Sequence, residues 1–321
     1  DLVTVEQEVD WDLELGAIVR RVCEKKLPSP YFKSITDYPG FEALGAPLAT
    51  YRRLAVAMGM NPGSSIPEIA DEYVKRTTSE PIHPVVVDRK DAPCKENILT
   101  GDDADLFRLP GPMVHDGDGG RYLATWHFVV SKDPDTQDIN WGMYRIMVFD
   151  EKTMVGPVLP FSDMGKMFHG KYAPKNKPMP FAVVIACDPL SGMAACAPSP
   201  IPEDQFAGLL MGEPVEVVRC ETCDLEVPAH AEIIIEGEVI PNVERVMGDL
   251  PNIRWITMRL LEGDTRIYET LENGELTSRV RLNHDVPVVA TPTDAELKEL
   301  CNHVQITASR IRDSFHDHIV S

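Results

Sequence analysis

No apolar run in the sequence approaches the roughly 20 residues that a membrane-spanning helix needs; stretches such as Phe181–Ala186 are far shorter. Basic residues are scarce, with 31 Lys and Arg against 51 Asp and Glu, a formal charge of -20. That balance excludes a nucleic-acid binder, which carries a basic face to displace counterions, and disfavours peripheral attachment to anionic membranes. No Gly-x-Gly-x-x-Gly follows a strand, and Gly119-Gly120-Arg121 lacks the Lys-Ser/Thr ending of a phosphate loop. There is no Gly-x-Ser-x-Gly elbow, so a serine hydrolase has no support. The nine histidines form no His-x-x-x-His pair of the zinc-protease kind. Asp116-Gly117-Asp118-Gly119-Gly120 has half the acids of a calcium loop but no closing Glu, and reads as a tight turn.

The cysteines are Cys23, Cys94, Cys187, Cys196, Cys220, Cys223 and Cys301, an odd number at irregular spacing. A disulfide framework is not expected, and with no secretory leader visible at the opening Asp1-Leu2-Val3, a reducing cytoplasm fits. Only Cys220-Glu221-Thr222-Cys223 has metal or redox spacing. A structural zinc normally takes a second such pair, and burial in a core is the commoner use of cysteine.

What is present is an ordinary globular composition, 43% apolar in 321 residues, which at roughly 150 residues per domain gives about two domains or slightly more. Trp11, Leu15, Ile18, Val19 and Val22 predict a helix over 11–23, with Arg20 and Arg21 off its apolar face. A second helix is expected over about 50–60, and a third from Ser65, with Pro67 in its first turn and Glu68 placed for a capping box. A strand is expected over 84–87. Beyond Asp88 the signals become strand-like, at 123–130, 143–149, 181–185, 215–218 and 231–240, punctuated by Gly, Pro and Asp, which argues for an antiparallel sheet or barrel. Pro198-Ser199-Pro200-Ile201-Pro202 reads as a fixed loop. Further on, Ile253–Leu261 has strand character, Asn273-Gly274 marks a hairpin, and Thr293 with Glu296 caps a helix over about 294–316.

Some polar residues stand where apolar or turn residues are expected. Asn140 and Arg145 flank Trp141-Gly142-Met143-Tyr144 at the mouth of a strand, where a guanidinium can grip a carboxylate through two parallel hydrogen bonds, or simply be a surface arginine. Glu203 follows the proline loop and precedes the apolar run Phe206–Met211, which suits a metal ligand or an acid in the first turn of a helix.

Several stretches, in order, carry a resemblance. They are Ile18–Cys23, Cys94-Lys95-Glu96-Asn97, Asp116–Tyr122, Asn140–Arg145, Pro200-Ile201-Pro202-Glu203, and Cys220–Pro228 running into Ala231–Gly237. Over about residues 1–241 the chain resembles the UbiD family of prenylated-FMN-dependent decarboxylases. The tail 250–321 does not match. The resemblance implies an α+β fold: an N-terminal α/β domain (1–95), a split β-barrel of flavin-reductase type holding the cofactor (96–249), and a divergent or truncated C-terminal segment (250–321) where the family has its dimerisation domain. It implies prenylated FMN held through a divalent metal, usually Mn2+, with K+ nearby, and a homo-oligomer supplied with cofactor by a flavin prenyltransferase.

Residue by residue, the resemblance makes Asn140, Glu203 and Asp163 the metal ligands. Asp163 stands where the family has a His, and His169 is the alternative in a shifted register. Oxygen ligands of this kind suit a hard cation. Thr125, Asn140, Met143, Arg145, Ser162, Cys196 and Pro198 are the cofactor-binding positions. The catalytic set is Arg145, which holds the substrate carboxylate, with Glu244 and Asp249, acids at the family's spacing although Arg245-Val246 replaces its Gly-Pro. The implied reaction is reversible removal of carbon dioxide from an aromatic, heteroaromatic or α,β-unsaturated acid. A catalytically silent scaffold or regulatory homologue, and a plain flavin-binding reductase, are the competing expectations.

Overall fold

The computed structural model describes residues 2–241 apart from Gly117, Gly119, Phe149 and Pro157. Glu244, Asp249, Cys301 and the strands, hairpin and helix expected within 250–321 lie outside the described residues. In chain order the elements are β1 (Leu2–Val5), α1 (Glu14–Lys25), β2 (Ser29–Phe32), β3 (Ala43–Leu44), α2 (Tyr51–Ala57), α3 (Ile66–Thr77) and β4 (Val85–Val86). They continue through β5 (Tyr122–Ala124), β6 (His127–Lys132), β7 (Ile139–Gly142), β8 (Ile146–Val148), β9 (Met154–Val155), α4 (Asp163–Met167) and β10 (Met179–Ile185). They close with α5 (Pro189–Ala194), α6 (Glu203–Met211), β11 (Glu216–Arg219), β12 (Glu226–Pro228) and β13 (Ile233–Val239). The chain divides into two units, one of Asp1–Tyr144 with Pro180–Gly237, the other containing Arg145–Met179.

In the first unit, β1 pairs in parallel with β2, and β3 pairs antiparallel on the other side of β2. Helix α1 makes the crossover between β1 and β2. It starts later than the sequence suggests, because residues 10–13 are used in a turn: Leu13 stands at φ 67°, its amide bonds Met113 O at 2.9 Å, and Leu15 N reaches Asp10 O at 3.0 Å. Trp11 therefore leaves the helix and lies under the Arg121 guanidinium, 4.0 Å from the ring centre. Arg20 and Arg21 do face solvent, paired with Glu24. Helix α3 begins as expected. Ser65 N donates to Glu68 Oε2 at 2.7 Å while Glu68 N donates to Ser65 Oγ at 3.4 Å, a reciprocal cap worth about 1 kcal/mol. Arg76 on α3 closes the ends of two other helices by donating to Met58 O at 2.7 Å and to Leu210 O.

The central sheet has the order β13-β10-β6-β7, with β10 and β7 antiparallel to β6. A second sheet, β12-β11-β4, pairs β11 with β4 in parallel and with β12 as a hairpin. Phe128 on β6 stacks on Trp141 of β7, centroids 4.5 Å apart, both fully buried, which adds about 0.5–1.5 kcal/mol to their burial. Helix α6 buries Phe206, Ala207, Leu209 and Leu210 in the same core.

Two strand expectations are corrected. The run 123–130 is broken at Thr125-Trp126 into β5 and β6. Within 143–149 the chain is irregular from Met143 to Arg145, and strand begins only at Ile146, while Asn140 lies inside the preceding strand β7 rather than at its mouth. The break after β7 has a steric cause: the Tyr144 ring folds back over Gly142, where a Cβ would come within 2.6 Å of it. The proline loop 198–202 carries no regular structure, as expected.

In the second unit β8 and β9 form a hairpin, Met147 facing Val155. Helix α4 runs on into a π-helical turn over Phe168–Tyr172. No helix among the described residues is long and apolar enough to cross a membrane.

A Cβ at Gly16 in α1 would stand 2.4 Å from the backbone oxygen of Val114. Helix propensity alone makes Gly→Ala favourable by about 1 kcal/mol. The collision is with backbone, which cannot step aside, so Gly16→Ala is expected to destabilise by about 1–3 kcal/mol. A urea midpoint equal to or above that of the parent chain would show that the 113–114 segment yields.

Candidate active site

Among the described residues strand β7 is the edge of its sheet, so one side of it has no strand to pair with there. The amide of Trp141 is met there by a carboxylate: Trp141 N donates to Glu203 Oε2 at 3.0 Å. Glu203 is the first residue of α6, fixed by Pro202 before it. The amide satisfies the carboxylate and the carboxylate satisfies an edge amide that would otherwise be desolvated. Next to Trp141, Asn140 is buried, and its Nδ2 donates to Ser131 Oγ at 3.2 Å. Ser131 stands directly opposite Asn140 in the β6–β7 register. With the amide nitrogen so used, the amide oxygen is the group Asn140 has for a cation. Asn140 and Glu203, far apart in sequence, thus arrive at adjoining positions as two oxygen donors, a set that fits a hard divalent cation.

Met143 and Cys196 are also brought together, the Cys196 thiol 3.0 Å from Met143 Sδ. Partial burial pushes that thiol up, so it stays protonated at neutral pH. Thr125, between β5 and β6, and Pro198 in the proline loop complete the set expected in this unit.

His127 was not singled out by its sequence. It is buried at the start of β6, with Nε2 2.6 Å from the carbonyl of Tyr144, the residue before Arg145. A carbonyl only accepts, so Nε2 carries a proton. Nδ1 has no partner among the described residues. Burial holds its pKa down to about 4, against the smaller upward pull of the carbonyl. His127 thus ties down the irregular segment Met143–Arg145. Ser131, which orients Asn140, was also missed. Neither residue has a motif, and only the register reveals them.

The remaining sites fall in the second unit. Arg145 is exposed, one residue before β8. Ser162 caps α4, its Oγ accepting from Gly165 N at 3.1 Å and donating to Leu159 O at 2.8 Å. Asp163 is exposed and paired with Lys166 at 2.8 Å. His169 lies in the π-helical turn, its Nε2 3.0 Å from the carbonyl of Val158.

The family model for the 3-octaprenyl-4-hydroxybenzoate carboxy-lyase Rift-related domain matches residues 85–254, and that for the N-terminal domain of the same carboxy-lyase matches residues 1–73. The chain belongs to the UbiD family. It is 39% identical over 249 residues to a pyrrole-2-carboxylic acid decarboxylase of Pseudomonas aeruginosa, covering 74% of this chain and 50% of the relative. It is 34% identical over 249 residues to ferulic acid decarboxylase 1 of Saccharomyces cerevisiae, again covering 74% and 50%. Among solved structures, the closed form of vanillic acid decarboxylase from Sedimentibacter hydroxybenzoicus superposes with a TM-score of 0.71 at 30% identity, over 75% of this chain and 52% of that one. The UbiD-class enzyme HmfF from Pelotomaculum thermopropionicum, solved with prFMN in an evolved dimeric form, gives 0.67 at 28%, over 75% and 54%. Both structures have mixed α and β content, in keeping with the α+β class expected of this UbiD chain. The chain spans about half the length of the curated relatives it matches.

The depressed pKa of His127 sets a pH dependence in this UbiD chain. The unfolded chain titrates near 6.5 and the folded one near 4. Between these values the unfolded state binds more protons, so stability is full above pH 6.5 and falls as pH drops toward 4, by up to about 3 kcal/mol. His127→Gln, which keeps a donor for Tyr144 O, is expected to flatten that part of the urea-midpoint profile relative to the parent. Parallel profiles would remove His127 as its source.

Proposed function

We propose that this UbiD chain serves a decarboxylase that, using prenylated FMN, reversibly removes carbon dioxide from an aromatic, heteroaromatic or α,β-unsaturated carboxylic acid. The observation that carries this reading is the junction of β7 and α6, where Asn140 and Glu203 present oxygen donors, with Met143 and Cys196 paired in the same unit. Family membership and the flavin in HmfF support it from outside the chain. In this reading, residues 96–249 are the split β-barrel domain, between an N-terminal domain over 1–95 and the segment 250–321.

Asn140 and Glu203 would hold a divalent cation, Mn2+ by family likeness with K+ nearby, and Asp163 is the proposed third ligand. Thr125, Met143, Ser162, Cys196 and Pro198 are the proposed flavin contacts. When bound, prenylated FMN supplies the electron sink for the carbon that loses carbon dioxide. The protein's own work is to hold and protonate. Arg145 grips the substrate carboxylate through its planar fork and favours ionisation of a neighbouring acid. Glu244 and Asp249 are the proposed acids of the set, Asp249 returning the proton to the carbon that carried the carboxylate. His127, by fixing the Tyr144 carbonyl, limits where Arg145 can start from. A homo-oligomer and a flavin prenyltransferase as cofactor supplier belong to the same proposal.

The test is anaerobic co-expression with a flavin prenyltransferase, followed by mass spectrometry of the released cofactor, metal analysis, and a screen of aromatic and acrylic acids for carbon dioxide release. Prenylated FMN and manganese at about one per chain are expected. Arg145→Ala is expected to lose at least about a hundredfold in turnover while retaining flavin, and Glu203→Ala to lose the metal. A folded chain that takes up neither flavin nor manganese would overturn the reading. Flavin reduction that survives Arg145→Ala, without decarboxylation in the parent, would point to a reductase.

A further inference from the structure

The Cys-x-x-Cys pair, which the sequence leaves to core packing, sits in the loop joining β11 to β12. Cys220 N closes that loop on Leu225 O at 2.8 Å. A third group arrives from β13 in the other sheet: Cys220 Sγ, Cys223 Sγ and a carboxylate oxygen of Glu236 all lie within 4.8 Å of one another. We propose that Cys220, Cys223 and Glu236 form a second metal site, for a thiophilic divalent cation of zinc's kind, that staples the β11–β12 hairpin to β13.

The geometry needs little change. Zn–S bonds of about 2.3 Å and Zn–O bonds of about 2.0–2.2 Å put tetrahedral ligands roughly 3.5–3.8 Å apart, so closure by an ångström or so suffices. The spacing of the pair is that of a zinc-binding turn. Cys223 is half-buried, which leaves a fourth position within reach of water.

The surroundings are built as an outer shell. Glu236 Oε1 accepts from Glu221 N at 2.8 Å, and Oε2 accepts from Thr222 N at 2.7 Å and Thr222 Oγ1 at 2.6 Å. The carboxylate therefore already grips the residues between the cysteines, and carboxylate ligands are typically oriented by bonds of this sort. Lys95, its side chain only 4% exposed, lies 3.5 Å from Glu236 and 3.4 Å from Glu221, and Arg89 pairs with Glu221 at 3.2 Å. Two thiolates, the Glu236 carboxylate, Lys95 and one divalent cation sum to zero charge, which favours enclosing them, while Glu221 and Arg89 pair on the exposed side.

The same carboxylate argues against a redox pair. Thiols that exchange readily sit in electropositive surroundings. Here the sulfurs face the Glu236 carboxylate, a charge of the same sign as a thiolate, and the nearby Lys95 is already shared between two carboxylates. A divalent cation reverses the sign of that interaction.

The experiment uses flavin-free, metal-stripped protein kept reduced with a phosphine and titrated with Co2+. A thiolate-to-cobalt charge-transfer band with visible bands of tetrahedral intensity is expected, saturating at one equivalent and displaced by Zn2+. Cys223→Ala, at the half-buried position, is expected to abolish the charge-transfer band with unchanged far-ultraviolet circular dichroism. Glu236→Gln is expected to weaken binding by at least about tenfold. Absence of the band in reduced protein, or a band that persists in Cys223→Ala and in Cys220→Ala, overturns the proposal, as does a Cys220–Cys223 disulfide in untreated protein whose reduction leaves no cobalt site. The signal needs neither flavin nor Arg145, so its failure and the failure of the decarboxylase reading are separate results.

Discussion

An amide on the open edge of a sheet must find an acceptor, and in this chain the acceptor is the first residue of a helix. Trp141 N on Glu203 sets where α6 begins against β7, and the packing of the helix depends on that contact. It brings the buried face of α6 onto the core that holds the Phe128–Trp141 stack. It also sets Glu203 beside Asn140, whose own orientation is locked from across the strand by Ser131. Helix, strand and site therefore share one constraint, and the polar groups are satisfied in the course of building the core.

Legibility in the sequence follows the range of the interaction that decides each feature. The α3 cap was readable because Ser65 and Glu68 are three residues apart and bond each other. The glycine-containing break after β7 was not, because it depends on a ring folding back from Tyr144 and on a histidine from another strand. Helix α1 starts late because Leu13 bonds Met113, a partner no local pattern shows. Asn140 and Glu203 stood out singly as polar residues in unexpected places, and only the family likeness paired them. The spacing alone left Glu203 as a helix-end acid, and in the structure it is that and an acceptor for Trp141 at once.

The cysteines make the same point from the other side. Their spacing was visible, and the absence of a second pair argued for a bland role. The missing partner is a glutamate on a strand of a different sheet, already bonded to the loop between them. Ligand sets completed by a carboxylate leave no repeat of the motif to find. The two regions of polar chemistry in the first unit are also of different hardness: oxygen donors at the β7–α6 junction, sulfur with one carboxylate at the β11–β12 hairpin. Cations sort between such environments by ligand type.

The parallel pairing of β4 with β11 bears on how a ribosome can deliver this chain. Val85 and Val86 leave the exit tunnel long before their partners Glu216 and Val217 exist, and β13, which completes the central sheet beyond β10, comes later still. Until then the nascent polypeptide holds unpaired strand edges open to neighbours, the condition under which chaperones are recruited and aggregation competes. Pairings of such wide sequence separation also slow the search for the native topology. The order of assembly is thus written in the strand order: the β6–β7 hairpin is able to form early, and the two sheets are closed only when synthesis has passed β13.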